Sequence, residues 1–274
     1  SEAQANAPLS LATGKGRTTM IQNDAHDYTI NRIGGTGKGS KNGQGLYEES
    51  STPKFAIGAN LELGDNRVFR YSYASAAITV GKVVSTDSAQ LIVADINGVF
   101  VAAAAGSTEI SVTDATLSSV ALNHYAGGYL GNITNGEQYR IKSNTAASSN
   151  LVTFTLYDGI ATAVAATDDY MLYGGPYNGV ITATVAGGAY DRVVGVNPIA
   201  VTSGYYFWLQ TRGIAFALND AAAAVVLGDN LQLSDSTAGT VQTQDTGIDT
   251  PVIGQAVGAA AASKHVPFML KVGG

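Results

Sequence analysis

The side chains able to do chemistry are few and widely spaced. Three histidines occur, His26, His124 and His265, with no H-E-x-x-H pattern and no paired-ligand spacing. Asp24-Ala25-His26-Asp27 has the residue types of a metal or acid–base site, and equally those of a polar turn. Residues 35–40 read GTGKGS. A phosphate loop needs Ser or Thr after the lysine to hold its metal, and Gly39 stands there instead. Asp168 and Asp169 are adjacent, so on a strand they point to opposite faces and do not clamp one bond. A glycosidase pair built from carboxylates distant in sequence stays open. There is no G-x-S-x-G elbow, and Ser203-Gly204 reads as a turn. Asp65, Asp229 and Asp235 lack the spacing of an EF-hand loop. Asn132-Ile133-Thr134 matches a glycosylation acceptor and reads as chance. The expectation is no catalytic residue, no cofactor and no metal.

The elements that would position any site are short and β-rich from Phe55 onward. Candidate strands are 67–73, 82–86, 91–97, 108–113, 139–142, 151–157, 170–173, 180–185, 192–196, 205–210, 214–218, 230–233 and 267–272. Several alternate with period two: Tyr205, Phe207 and Leu209 share one face, and Tyr206, Trp208 and Gln210 the other. Helix signals are weak, the best lying around 116–125. Leu63-Gly64-Asp65-Asn66 recurs as Leu227-Gly228-Asp229-Asn230, which is turn chemistry rather than a duplicated domain. The predicted fold is mainly β: an antiparallel sandwich or barrel body at 55–274, an extended arm at 1–54 and few short helices. Residues 85–190 are open to being an inserted β subdomain.

The arm stands out by composition. Residues 1–54 hold six of the fifteen Lys and Arg, and 34–45 contain six glycines. Such a stretch cannot build a core and loses much entropy when fixed. It is either a free tail or an arm that orders against a partner.

Composition bounds the function. The chain has 274 residues, no cysteine and a formal charge of −6. Without cysteine there is no disulfide framework, thiolate site or cysteine nucleophile. The acidic balance argues against a general nucleic-acid binder. No basic head followed by an apolar run marks a signal peptide, and no apolar stretch has the length of a membrane-spanning helix. Charged residues make up 13%, about half the usual share, with Gly, Ala, Ser, Thr and Asn in their place. A sheet protein with so few charges risks association at its edges, so much of its surface is expected to be buried in an assembly. Fourteen tyrosines against seven phenylalanines either line a sugar or protein surface or fill half-buried strand positions.

Five stretches carry a resemblance: 65–71 (DNRVFRY), 78–84 (ITVGKVV), 193–213 (VVGVNPIAVTSGYYFWLQTRG), 226–230 (VLGDN) and 253–258 (IGQAVG). They are similar to virion structural proteins of tailed bacteriophages, in particular to head decoration (cement) proteins. The resemblance implies a homo-oligomer, most simply a trimer, on the capsid exterior, after synthesis in the host cytoplasm. Its partner would be the major capsid protein, with neither nucleic acid nor membrane involved. Gly34, Gly35, Lys38 and Lys41 would be arm contacts to the capsid. Tyr205, Tyr206 and Trp208 would belong to a core or inter-subunit strand. A tail, fibre or adhesion protein binding host glycans through tyrosines is the main alternative; an enzyme with a dispersed site and an outer-membrane barrel are others.

Overall fold

The computed structural model describes residues 18–23, 27–32, 43–87, 92–96, 98–185, 192–245 and 251–272. The chain is mainly β, as expected. β1 (Thr18–Asn23) and β2 (Asp27–Arg32) form an antiparallel hairpin, and β2 runs parallel to β3 (Asn60–Glu62). β3 pairs antiparallel with β4 (Val68–Ala74). β5 (Val83–Thr86) leads into a separate sheet, and the chain returns through β13 (Asn178–Thr182), β14 (Val193–Val196) and β15 (Tyr206–Leu218). β16 (Asn230–Leu233), β17 (Val241–Thr243), β18 (Gly254–Ala256) and β19 (His265–Lys271) extend the first sheet beyond β15.

Five strands close on themselves. β4 pairs with β13, β13 with β5, β5 with β14, β14 with β15, and β15 with β4 again. Closure removes free edges within these five strands, while the sheet as a whole still ends at β1 and β17. Ala74, Val84, Val180, Val194, Phe207 and Leu209 fill the barrel, and Ile78 and Val201, joined by an antiparallel bridge, close one end.

β15 carries three cores. Phe207 and Leu209 point into the barrel, while Trp208 packs outside it with Phe69, Tyr71, Leu61 and Leu46. Beyond residue 210 the same strand pairs with β19, where Ala215 and Ala217 pack on Val266, Phe268, Leu270 and Leu231. Sequence reading expected two separate strands, 205–210 and 214–218. The structure has one strand: the register shifts between Gln210 and Arg212, and Gly213 adopts φ +86°. A bulge of this kind redirects a strand without ending it.

The separate sheet spans 92–173 and lies between β5 and β13. It contains β6 (Ile92–Ile96), β7 (Val99–Phe100), β8 (Glu109–Thr113), β9 (Tyr129–Asn132), β10 (Gln138–Asn144), β11 (Leu151–Leu156) and β12 (Tyr170–Tyr173). β10 pairs β9 through Gln138–Arg140 and β11 through Ile141–Asn144, shifting register between Ile141 and Ser143. The two halves enclose their own core of Ile96, Phe100, Ile110, Val112, Leu130, Ile141, Val152, Phe154 and Leu172. Asn178 ties this sheet to the barrel, its Nδ2 donating to the carbonyls of Asn123, His124 and Ala126 at 3.0, 2.9 and 3.3 Å.

The helix expected at 116–125 is only a 3-10 turn, Ala115–Leu117. Separate i to i−3 turns follow it, and Asn123 at φ +60° breaks any continuation. The boundary drawn at residue 54 falls inside packed structure, since Leu46 is buried against Trp208 and Ser50 bridges Tyr206.

Candidate functional site

Three of the seven residues singled out by sequence lie together. Tyr205 packs on the barrel core, Tyr206 lies between Tyr71 and Tyr73 with ring centroids 6.0 and 5.0 Å away, and Trp208 meets Tyr71 edge-on at 5.0 Å. Trp208 is 1% exposed and donates its indole N–H to the Gln44 carbonyl at 3.2 Å. Of the two roles left open for this strand, Trp208 takes the core one: no surface of it remains for a partner. Tyr205 and Tyr206 stay half-buried at the rim. Gly34, Gly35, Lys38 and Lys41 lie outside the described residues.

Residues 43–50 form a strap over this cluster. Gln44 Nε2 donates to the carbonyls of Glu48 and Tyr206 at 2.6 and 2.7 Å, and its Oε1 accepts from the Tyr71 hydroxyl at 2.6 Å. Glu49 accepts from Thr202 N–H at 2.6 Å and its hydroxyl at 2.9 Å. Burial pushes the Tyr71 phenol up to about 12, although the Lys54 N–H at 3.0 Å favours the anion.

Where β15 leaves the barrel, a groove of about 440 Å³ opens beside it. Ile214 and Phe216 lie along it, 48% and 59% exposed, and Val80, 49% exposed, forms a wall. Asp65 and Arg67 stand opposite, joined at 2.7 Å, and His265 closes one end beside Gly81. Burial works against both members of that pair, yet Asp65 is lowered by its contacts with Arg67, and Arg67 is raised by Tyr47 and Asp65 together. Sequence reading missed this groove. Its signal was the run Ile214-Ala215-Phe216-Ala217, in which the large side chains face out because the small ones meet the packed β19 face.

The other chemically able groups are dispersed. His124 is held below its usual range by burial, with Asp87 pulling weakly the other way. His26 lies outside the described residues. Glu137 accepts from the Tyr139 hydroxyl and, at 2.5 Å, from Thr162, which lowers it. Asp220 is buried and accepts from Ser234 at 2.9 Å and from the Ala222 N–H at 2.9 Å. Asn132 is 4% exposed and accepts from the N–H groups of Thr134 and Asn135, so its amide holds a turn. Among the described residues, no group of three His, Asp or Glu is placed to hold a metal ion.

The chain matches no protein-family model, no curated protein and no solved structure.

Proposed function

We propose that this chain is a non-enzymatic virion structural protein that decorates a phage capsid from outside and bridges copies of the major capsid protein. The observation that carries the reading is the turn at Val226-Leu227, where two adjacent apolar side chains stand 57% and 69% exposed. Asp229 Oδ2 accepts the Val226 N–H at 3.0 Å, and Gly228 adopts φ +94°, so the backbone of this turn is held before any partner arrives. A pre-ordered apolar contact loses little entropy on docking. Further exposed apolar side chains, Val99, Val101, Leu122 and Ile133, lie on the inserted sheet and its loops. Contacts of this kind, each weak, multiply in strength when many copies sit on one lattice. The sequence resemblance supplies the capsid as the partner.

The glycan-binding alternative needs outward tyrosines. Of those weighed for it, Tyr71 and Tyr125 are buried and Tyr73, Tyr129, Tyr205 and Tyr206 are half-buried, while Tyr47 stands 62% exposed by itself on the strap. Immunogold labelling of intact particles, viewed by electron microscopy, tests the proposal. Gold over the heads is expected, with loss of head labelling in the double variant Val226→Asp, Leu227→Asp. Gold confined to tails or fibres overturns it.

A further inference from the structure

Two outward sheet faces of this chain match each other row by row. The first is where β15 pairs with β19. Arg212 stands opposite Lys271, Ile214 opposite Met269 and Phe216 opposite Pro267. All but the half-buried Pro267 are exposed, because alternation sends Ala215, Ala217 and Phe268 inward to the core. Like charges directly opposite each other cost a sheet stability, so the Arg212–Lys271 row favours an added anion. Among the described residues neither cation forms an ion pair.

The second face lies on the inserted sheet, where β8 runs between β7 and β11. Thr113 stands between Val99, 67% exposed, and Leu151, 39% exposed. Val101, 55% exposed, donates its N–H to the Ser111 carbonyl at 2.9 Å, and the Ser111 hydroxyl meets that of Thr153 at 2.8 Å. Glu109 is exposed in the next row, opposite Thr155, with no ion-pair partner among the described residues. Ile110 and Val112 turn to the core instead.

We propose that these two faces bind each other across two copies of the chain, β15–β19 of one copy on β7–β8–β11 of the next. Each face steps from a charged row to two apolar rows, and each step is two strand residues, about 6.8 Å. Laid together, Arg212 and Lys271 meet Glu109, Ile214 and Met269 meet Val101, and Phe216 meets Val99 and Leu151. The wider charge distribution agrees. Residues 92–173 hold seven Asp and Glu against Arg140 and Lys142, which places five of the six net negative charges on the inserted region. Two β15–β19 faces packed on each other would leave both cation rows unanswered, so the contact is heterologous. It continues from copy to copy as a ring or a chain. The inference stands apart from the capsid reading, which rests on Val226 and Leu227, and survives its failure.

The purified full chain tests this, with its mass in solution read by light scattering after size-exclusion chromatography. The parent is expected to self-associate at micromolar concentration. Phe216→Asp with Met269→Asp blocks one face, and Val99→Asp with Val101→Asp blocks the other. Each variant alone is expected to be monomeric. Mixed in equal amounts, the two keep one good face each, so dimers are expected and nothing larger. All four positions are exposed, so the fold is expected to tolerate the changes, which circular dichroism checks. A second set leaves the apolar rows intact. Arg212→Glu with Lys271→Glu is expected to weaken association about tenfold, and adding Glu109→Lys to that chain to restore it. A monomeric parent, a blocked variant that still associates, or a mixture that stays monomeric overturns the proposal. So does a charge reversal that Glu109→Lys does not rescue.

Discussion

The Tyr71 hydroxyl donates to Gln44 Oε1 at 2.6 Å and accepts the Lys54 N–H at 3.0 Å. One buried phenol thereby pins two points of residues 43–54, a stretch whose composition reads as arm, onto β4 of the barrel. Tyr71→Phe keeps the ring and its edge contact with Trp208 but leaves Gln44 Oε1 and the Lys54 N–H without that partner. The expected cost is about 1–3 kcal/mol, measured by urea unfolding. Faster proteolysis within 43–54 is expected alongside it.

The same residue gives the protein an alkaline limit. Its folded-state pKa, pushed up to about 12, exceeds the usual phenol value of 10.0, so the folded state holds the proton more tightly than the unfolded one. The contribution is whole below pH 10 and is lost as pH rises through about 12. Tyr125, Tyr170 and Tyr206 are raised by burial with the same sign. Unfolding titrations from pH 9 upward should show a shallower loss in Tyr71→Phe than in the parent, without abolishing it.

Asn178 joins two sheets through one amide group that meets three carbonyls. Asn178→Ala is expected to loosen 123–126 from the barrel at a cost of about 1–3 kcal/mol. Hydrogen exchange would read this as faster exchange at 123–128, with the barrel interior at Phe207 and Leu209 unaffected. Equal acceleration in both places would mean that the two sheets unfold as one unit.

Gly195 guards the closure of the barrel. A Cβ there would stand 2.3 Å from the Gln210 carbonyl oxygen and 2.8 Å from Leu209 Cγ. β14 and β15 share a single registered pair, Val196 with Gln210, so the close approach at Gly195 lies beside the one paired position that closes the barrel there. Gly195→Ala is expected to destabilise by about 1–3 kcal/mol or more, because backbone must move. Thermal unfolding checks the loss. Gly64→Ala, where nothing lies within 4 Å, serves as the neutral control.

Much of the architecture was legible in the residues. The expected strands at 67–73, 82–86, 108–113, 151–157, 170–173 and 230–233 lie within two residues of β4, β5, β8, β11, β12 and β16. The split of Tyr205, Phe207 and Leu209 from Tyr206 and Trp208 is also present, as two cores on opposite sides of one strand. β3, β7, β17 and β18 escaped because two or three residues carry no period. The inserted sheet was visible only as a region, 85–190, around the observed 92–173.

Sequence by itself determined the class of object: short alternating runs between Gly and Asx turns make sheets, and few charges with no cysteine leave little dispersed chemistry. It also determined which side chains of β15 part company, since period two is a property of the extended backbone. Tertiary structure decided the rest. Both faces of 207–210 are buried, so no polar alternation could say which one lines the barrel. Only the closing of β15 onto β4 put Trp208 in the core rather than at a partner. The groove beside Ile214 and Phe216 arose the same way. It exists because β4 stops at Val68 while β15 runs on, a mismatch between strands far apart in the chain that no local pattern records.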